Sequence, residues 1–373
     1  MEKQNKKIGI LTFWYGNSNY GQILQCFALQ HFLRRQGYDA YLIRFIGYGE
    51  SRFRKFVKAC LPFLCAKPDK FDRMRHFEAF RKEHLQMSPL YTSLAQIQQN
   101  PPKAEAYIAG SDQIWMQSLD NPQQRAYFLD FGDERTKRIA YAASFGIESY
   151  PESHRELLGQ QLQRFNAISC RERSGIDICK QVGAEATRVL DPTLLLTRED
   201  YLNLNPNLNP DENSSLFIYS LNISSAEDIR WNELRETIDG KVVVTPAAGY
   251  NESAELFGSD VEYLYATPWQ WVTQIASAGL VVTTSFHGIA FSILMHTPFV
   301  YVPLKGTFAK ANNRILDLLR DLHLEDRTLS EQTTYGEIIA RPIDWKTVDD
   351  VLNEKRKESI EFLEKALGVP LHT

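Results

Sequence analysis

The sequence predicts an α/β fold with two domains, each wound around a parallel sheet. At 373 residues, 43% of them hydrophobic and 24% charged, the chain is too long for one core and has the composition of an ordinary folded protein. Short apolar strands alternate with amphipathic helices, which is the pattern of βαβ units. A Pro/Asn-rich stretch over 202–213 interrupts this alternation, so we predict a first domain over 1–205 and a second over 206–345.

The first domain begins with a βαβ unit. Ile8–Phe13 is typical of a buried parallel strand, and a Gly/Asn-rich loop leads from it into a helix that ends near Gly37. Residues 51–85 carry ten Lys/Arg against four Asp/Glu, and we interpret about 51–93 as a basic helical insertion. Its basic face is either solvated or lies on an anionic membrane surface. Further strands are predicted at Ala40–Phe45, Ala106–Ala109, Ile139–Ala143, Ala167–Ser169 and Arg188–Leu190.

A second series of strands and helices follows the interruption. Strands are predicted at Leu216–Leu221, Val242–Thr245, Val261–Tyr265, Leu280–Thr284 and Phe299–Val302, and helices at Trp269–Ser277, Ile289–Met295 and Asn313–Leu322. Residues 346–373 are predicted to form a terminal helix that packs back toward the first domain.

Composition and charge argue against a nucleic-acid-binding, secreted or membrane-spanning protein. A formal net charge of −4 gives no global field for nucleic acid, so any anion site must be a local cluster of cations or backbone N–H groups. The charged start and the short apolar run over 8–14 do not fit a signal peptide, and no apolar stretch is long enough to span a bilayer. Five cysteines without zinc-type spacing are typical of a reducing compartment, which predicts a cytoplasmic protein without a metal site.

Polar loops after the predicted strands are candidate binding sites. The loop before the first helix holds Asn19 and Gly21, where backbone N–H groups can meet an anion, although turn chemistry alone would explain both residues. The loop is not GxGxxG and the second strand ends in Ile43-Arg44-Phe45, which counts against dinucleotide binding. The later loop Gly110-Ser111-Asp112-Gln113-Ile114-Trp115 could bind sugar hydroxyls while Trp115 covers an apolar face, or Asp112 could cap a helix.

Cationic side chains follow other strands. Arg171 stands at a strand end, where its guanidinium could hold phosphate or carboxylate or simply pair with an acid. His287 follows a strand that ends at Ser285 and falls at a helix start, where a bound phosphate would favour its charged form; a structural role is the alternative. Lys305, Lys310 and Arg314 form a possible second cationic patch.

Four segments together resemble the polysaccharide pyruvyl transferase family. Their order and approximate spacing match that family along most of the chain, with Asp191-Pro192-Thr193 between the third and the fourth. The segments are Asn19-Tyr20-Gly21 with Leu24-Gln25 and Ala28-Leu29, Gly110 to Trp115, Ser169-Cys170-Arg171-Glu172, and Thr284-Ser285-Phe286-His287-Gly288.

The resemblance implies two Rossmann-like domains facing each other across a cleft, similar to the GT-B glycosyltransferases. It also implies transfer of a pyruvyl group from phosphoenolpyruvate, with no further cofactor, onto two hydroxyls of a sugar in surface polysaccharide synthesis. Under this reading His287 supplies a proton, Arg171, Arg314 and Lys310 hold the donor, and Asp112 orients or deprotonates the acceptor. The other residues expected to contact substrate are Asn19, Tyr20, Gly21, Ser111, Trp115 and Ser285.

Two other functions fit the same sequence. One is a GT-B-type nucleotide-sugar glycosyltransferase, because fold does not settle function. The other is a non-catalytic carbohydrate-binding protein on the same scaffold. The expected partners are phosphoenolpyruvate and a sugar or lipid-linked oligosaccharide, with peripheral contact to the inner face of the cell membrane through 51–85, no nucleic acid and some self-association.

Overall fold

A seven-stranded parallel sheet organises the first half of the protein. The computed structural model describes residues 6–47, 68–116, 119–205, 208, 215–246 and 256–371. The strand order of this sheet is β3-β2-β1-β4-β5-β6-β7. Its strands are β1 (Lys7–Leu11), β2 (Asp39–Phe45), β3 (Met87–Tyr91), β4 (Ala106–Ala109), β5 (Lys137–Ala143), β6 (Ala167–Cys170) and β7 (Thr187–Arg188).

A five-stranded parallel sheet organises the second half. Its strand order is β10-β9-β8-β11-β12, so the direction of winding reverses between β8 and β11 just as it reverses between β1 and β4 in the first sheet. Its strands are β8 (Ser215–Tyr219), β9 (Lys241–Val244), β10 (Glu262–Tyr263), β11 (Ala278–Thr283) and β12 (Phe299–Tyr301).

Helices cover both sheets. They are α1 (Tyr20–Arg35), α2 (Pro68–His84), α3 (Leu94–Gln99), α4 (Arg155–Leu162), α5 (Arg173–Gln181), α6 (Arg198–Leu204), α7 (Trp231–Thr237), α8 (Pro268–Ser277), α9 (Phe286–Met295), α10 (Asn313–Asp321), α11 (Tyr335–Ile339) and α12 (Trp345–Leu367).

The predicted α/β class with parallel sheets is confirmed, and the predicted strands and helices recur with ends shifted by a few residues. The basic insertion is one difference. Within it, 68–84 is helical, but Met87–Tyr91 pairs with β2 as the edge strand of the first sheet, since Leu42 pairs with Met87 and Phe45 with Tyr91. Residues 48–67, which carry much of its positive charge, lie outside the described residues.

Aromatic packing joins the two halves. The Tyr20 ring of α1 stacks on Trp271 of α8 with centroids 5.4 Å apart, and its hydroxyl donates to the carbonyl of Ala266 at 2.8 Å. Tyr20 and Trp271 have essentially no exposed surface, so this contact belongs to a continuous core. The two sheets are therefore held close at the edge where their strands end.

The terminal helix α12 lies against the first half. Ser359 accepts a hydrogen bond from the Leu190 N–H at 3.0 Å, and Arg356 donates to the Leu194 carbonyl at 2.8 Å. Lys137 donates to the carbonyl of Leu367 near the end of the helix at 3.0 Å. In the described part of the chain, no helix is both long and apolar enough to cross a membrane.

Candidate active site

The candidate site lies where the carboxyl ends of the two sheets face each other. In parallel sheets, ligands bind outside the carboxyl ends of the strands, at the point where the winding reverses. In the first sheet the loops at this point follow β1 and β4, and they carry Asn19 and Asp112. In the second sheet the loop after β11 carries Ser285 and His287.

The first helix meets the second half at a glycine. Asn19 caps α1 by accepting a hydrogen bond from the Gln22 N–H at 3.1 Å, which is the turn role that the sequence left open. Two residues on, Gly21 lies directly against His287, because a Cβ at this position would overlap the imidazole ring. Gly21 is therefore required by close approach, and it packs α1 against the candidate proton donor.

His287 lies in the first turn of α9 and is buried. Ser285 caps this helix by accepting from the Gly288 N–H at 3.3 Å, so its hydroxyl serves the backbone. The imidazole Nε2 lies 3.6 Å from the Oδ2 atom of Asp191 and has no hydrogen-bond partner among the described residues. The nitrogen is thus close enough to feel the carboxylate while remaining able to bond a ligand.

Asp191 is the buried centre of the site, and the sequence analysis placed it only between motifs. Its Oδ2 accepts from Ser111 Oγ and from Arg171 Nη1, both at 2.8 Å, and its Oδ1 accepts from the backbone and hydroxyl of Thr193 at 3.0 and 2.7 Å. Burial alone would raise the pKa of Asp191, but attraction to His287 and Arg171 outweighs burial and holds it well below the ordinary value. The carboxylate therefore stays charged, holds Arg171 in place and lies close to the imidazole of His287.

Arg171 spans the cleft between the halves. One of its terminal nitrogens pairs with Asp191, and its guanidinium carbon lies 4.6 Å from the centre of the Phe286 ring of α9. Its Nε and Nη2 atoms are buried and have no hydrogen-bond partner among the described residues. Since a buried guanidinium with unmet N–H groups is costly, these donors point to an anionic ligand.

A second arginine approaches from the other half. Arg314 is half-buried in the first turn of α10, and its Nε also has no partner among the described residues. Burial, together with repulsion from Arg171, lowers the pKa of Arg314 to about 10, so it remains a cation at neutral pH. Helix α10 is tied to the first half because Asp317 accepts from the Arg173 N–H at 2.9 Å.

Two further acids border this pair of arginines. Asp112 adopts a left-handed backbone conformation with φ +83°, and its carboxylate accepts from the Gln113 N–H at 2.9 Å and from Gln22 Nε2 at 3.4 Å. Glu172 is buried: its Oε1 accepts from Ser144 and from the Phe145 N–H, while its Oε2 has no partner among the described residues. Both carboxylates act electrostatically on Arg314.

Four side chains that were predicted to contact substrate lie elsewhere in the structure: three are buried against protein groups, and one is exposed outside the buried cluster. Trp115 is fully buried: it stacks on Phe128 with centroids 5.1 Å apart and donates to the Tyr127 carbonyl at 3.0 Å, so it supports the core instead of covering a substrate. Tyr20 is buried in the same way by its contact with α8. Ser111 is buried and bonds Asp191, which makes it a support for the site. Lys310 is exposed, outside the buried cluster.

Cationic side chains and helix N-termini gather at the candidate site. The first turn of α1 contacts that of α9 through Gly21 and His287, and the N–H of Arg173 at the start of α5 donates to Asp317 of α10. The positive ends of helices favour negative charge. Arg171 and His287 both approach Asp191, and Arg314 interacts electrostatically with Arg171 and with the same carboxylate. Among the described residues no group of three or more His, Cys, Asp or Glu side chains could hold a metal ion.

The sequence of the chain matches that of a known protein family. The sequence model of the family described as polysaccharide pyruvyl transferase matches residues 19–305 of the chain. This range includes Gly21, Asp112, Arg171, Asp191 and His287. No protein with a curated description matches the chain in sequence.

Solved structures of low sequence identity are similar to this one over almost the full length of the chain. The S. aureus protein MnaA, in complex with UDP, shares 10% identity at a TM-score of 0.53, over 99% of this chain and 100% of that chain. A Neisseria meningitidis UDP-GlcNAc 2-epimerase shares 8% identity at a TM-score of 0.47, over 96% of this chain and 100% of that chain. The two parallel sheets and the likeness to the MnaA structure show two Rossmann-like domains in a GT-B-like arrangement.

Proposed function

The chain belongs to the polysaccharide pyruvyl transferase family, and from this premise we propose that it moves the pyruvyl group of phosphoenolpyruvate onto two hydroxyls of a sugar. The products are a cyclic ketal and phosphate, and the acceptor is a sugar of a surface polysaccharide or its lipid-linked precursor. Phosphoenolpyruvate is the donor substrate, and the proposal requires no further cofactor.

The observation that carries this proposal is the pair of arginines with unmet donors. Phosphoenolpyruvate bears a phosphate and a carboxylate, and a guanidinium binds either group through two parallel hydrogen bonds. Arg171 offers Nε and Nη2 on one side of the cleft, and Arg314 offers Nε on the other. We assign one anionic group of the donor to each arginine.

His287 is assigned the proton transfers. A proton added to the methylene carbon of the donor makes it a methyl group, and positive charge then develops on the adjacent carbon. The first sugar hydroxyl forms a bond to that carbon, phosphate leaves with its electron pair, and the second hydroxyl closes the ketal. Of the two hydroxyl protons released, one balances the methyl group and one leaves with phosphate. Nε2 of His287, unpartnered and 3.6 Å from Asp191, is suited to deliver these protons.

Asp112 and Glu172 are assigned to the acceptor. Each hydroxyl must lose a proton as its oxygen bonds to carbon, and a carboxylate oxygen within reach can accept it. The Oε2 atom of Glu172 has no partner among the described residues, and Asp112 holds only weak or local hydrogen bonds. From the sequence, only Asp112 was predicted to have this role.

Binding and turnover measured on two variants test the proposal. We expect Arg171→Ala to raise the dissociation constant of phosphoenolpyruvate by roughly tenfold or more, because a charge-assisted hydrogen bond is lost. We expect His287→Ala to bind the donor normally but to release phosphate about 10²- to 10⁴-fold more slowly with an acceptor from a panel of p-nitrophenyl glycosides. Calorimetry and phosphate release provide the two readouts. Near-normal binding and turnover in both folded variants would reject the site.

A further inference from the structure

A second cavity lies at the carboxyl edge of the second sheet. It has a volume of 360 Å³ and is enclosed by the loop after β8, which carries Asn222 and Ser224, and by the loop after β12, which carries Lys305 and Thr307. Thr284, at the end of β11, also lines it. The cavity therefore occupies the point between β8 and β11 where the winding of this sheet reverses, the usual ligand position in such sheets. Its size is at the lower end of the ~300–1,000 Å³ found for ligand sites.

Hydrogen bonds hold both walls of the cavity in place. Thr284 donates to the Leu221 carbonyl at 2.9 Å and accepts from the Leu221 N–H at 2.7 Å, which fixes the loop after β8. Asn312 clamps the other loop, since its side chain accepts from the Leu304 N–H at 3.0 Å and donates to the Leu304 carbonyl at 2.9 Å. The cavity is thus formed before any ligand binds, which lowers the entropic cost of binding.

The groups that line the cavity suit a neutral molecule with many hydroxyls. Asn222 and Thr307 bring an amide and a hydroxyl to the cavity wall, and Thr307 is exposed. Pro303 and Phe308 provide apolar surface beside them. Among the described residues that line the cavity, the one cation is Lys305, and the carboxylate of Asp228 lies in the same wall. Burial raises the pKa of Asp228, but hydrogen bonds from Ser224 and Ser225, together with attraction to Lys305, outweigh burial and hold it below its ordinary value. A charged ligand therefore gains little here.

The cavity is connected to the candidate site through one short loop. Thr284 lines the cavity, Ser285 caps α9, and His287 lies in the first turn of that helix. We propose that the cavity is a subsite for a sugar unit of the acceptor, which it presents to the groups around His287. This inference rests on the proposed function, because it names where the acceptor of that reaction is held.

Calorimetric titration of the full chain tests the subsite. The protein, saturated with phosphoenolpyruvate, is titrated with p-nitrophenyl glycosides of glucose, galactose, mannose and N-acetylglucosamine. We expect at least one glycoside to bind, and Thr307→Trp, which fills the cavity with an indole ring, to raise its dissociation constant by at least about tenfold. Gln332→Trp places the same ring on an exposed loop of the same half and should leave binding unchanged.

A second variant tests the subsite independently in case Thr307→Trp does not fold. Asn222 has φ +56°, a conformation that glycine also adopts freely, so Asn222→Gly removes the amide without straining the loop. It should weaken the same glycoside roughly three- to tenfold. Equal binding in wild type and both variants, no binding by any glycoside, or displacement of the glycoside by UDP would overturn the subsite. If the wild-type protein did not bind phosphoenolpyruvate, the proposed function would be wrong instead. As a control for folding, both variants must bind phosphoenolpyruvate as tightly as the wild type does.

Discussion

Substituting Gly21 with alanine tests the contact between α1 and the proton donor. Gly21 is the second residue of its helix, and alanine in a helix is ordinarily more stable than glycine by up to about 1 kcal/mol. Here the added Cβ would lie 2.7 Å from the Cβ of His287 and still closer to the imidazole ring. The nearest ring atom, Nδ1, would lie at 2.0 Å, whereas a real Cβ in ordinary contact stands at least 3.4 Å away, so the imidazole ring or helix α1 must move by about 1.4 Å.

A displacement of this size is expected to affect catalysis more than binding. A catalytic group misplaced by about 1 Å can cost on the order of 10²-fold in rate. The three atoms nearest to the added methyl group all belong to His287, so the arginines assigned to the donor are affected less. We therefore expect kcat of Gly21→Ala to fall roughly 100-fold while the dissociation constant of phosphoenolpyruvate changes less than about threefold. Stopped phosphate-release assays give the first quantity and calorimetry the second.

The chain offers a matched control. Gly336 is also the second residue of a helix and follows a capping residue and a tyrosine as Gly21 does. A methyl group added to Gly336 would have only one atom within 4 Å, Thr237 Cγ2 at 3.9 Å. Gly336→Ala should therefore be neutral or slightly stabilising and fully active. If Gly21→Ala were as active as Gly336→Ala, the position assigned to His287 would be wrong.

Three more predictions concern single side chains. Asp191→Asn should lower the free energy of unfolding in urea by about 3–5 kcal/mol at pH 7, because it leaves a buried arginine without its counter-charge. The pKa of Asp191 in the folded protein lies below the ordinary 3.8, so the charged carboxylate stabilises the fold at pH values above 3.8. The difference in unfolding free energy between wild type and variant should therefore decrease as the pH falls below 3.8. Trp115→Ala should lose about 3–5 kcal/mol of unfolding free energy and, where folded, bind the donor normally; weaker donor binding would restore a direct role. Arg314→Ala should weaken donor binding roughly tenfold or more while Lys310→Ala changes it less than about twofold, and the reverse order in calorimetry would refute the assignment.

The sequence predicted the fold well because its strands are short, apolar and bounded by polar loops. Ala106–Ala109 is identical in prediction and structure, and Val281 and Val282 lie in the strand assigned to them. The edge strand Met87–Tyr91 was missed since its residues alternate weakly and it follows a strongly charged helix. The outer edge of such a strand has no hydrogen-bonded neighbour, and edge strands are therefore often short and carry polar residues or proline, here Ser88 and Pro89.

The site was predicted less completely, for a physical reason. Motif reading identifies residue types in loops, and it found Arg171 and His287, which the fold brings to the same buried carboxylate. It could not show that Asp191 is that carboxylate, because its partners are 80 and 20 residues away in sequence. Nor could it separate Trp115 from a ligand contact, since burial depends on packing against Phe128, which sequence spacing does not reveal.

The measurement that tests the central claim most directly is the melting temperature of the protein with millimolar phosphoenolpyruvate, in parallel with UDP, GDP and CMP. A ligand that binds only the folded state must raise the melting temperature. We predict a rise with phosphoenolpyruvate that disappears in Arg171→Ala, and no rise with the nucleotides. A rise with a nucleotide alone would contradict the account: it would identify a nucleotide-sugar glycosyltransferase and leave His287 without the role assigned to it.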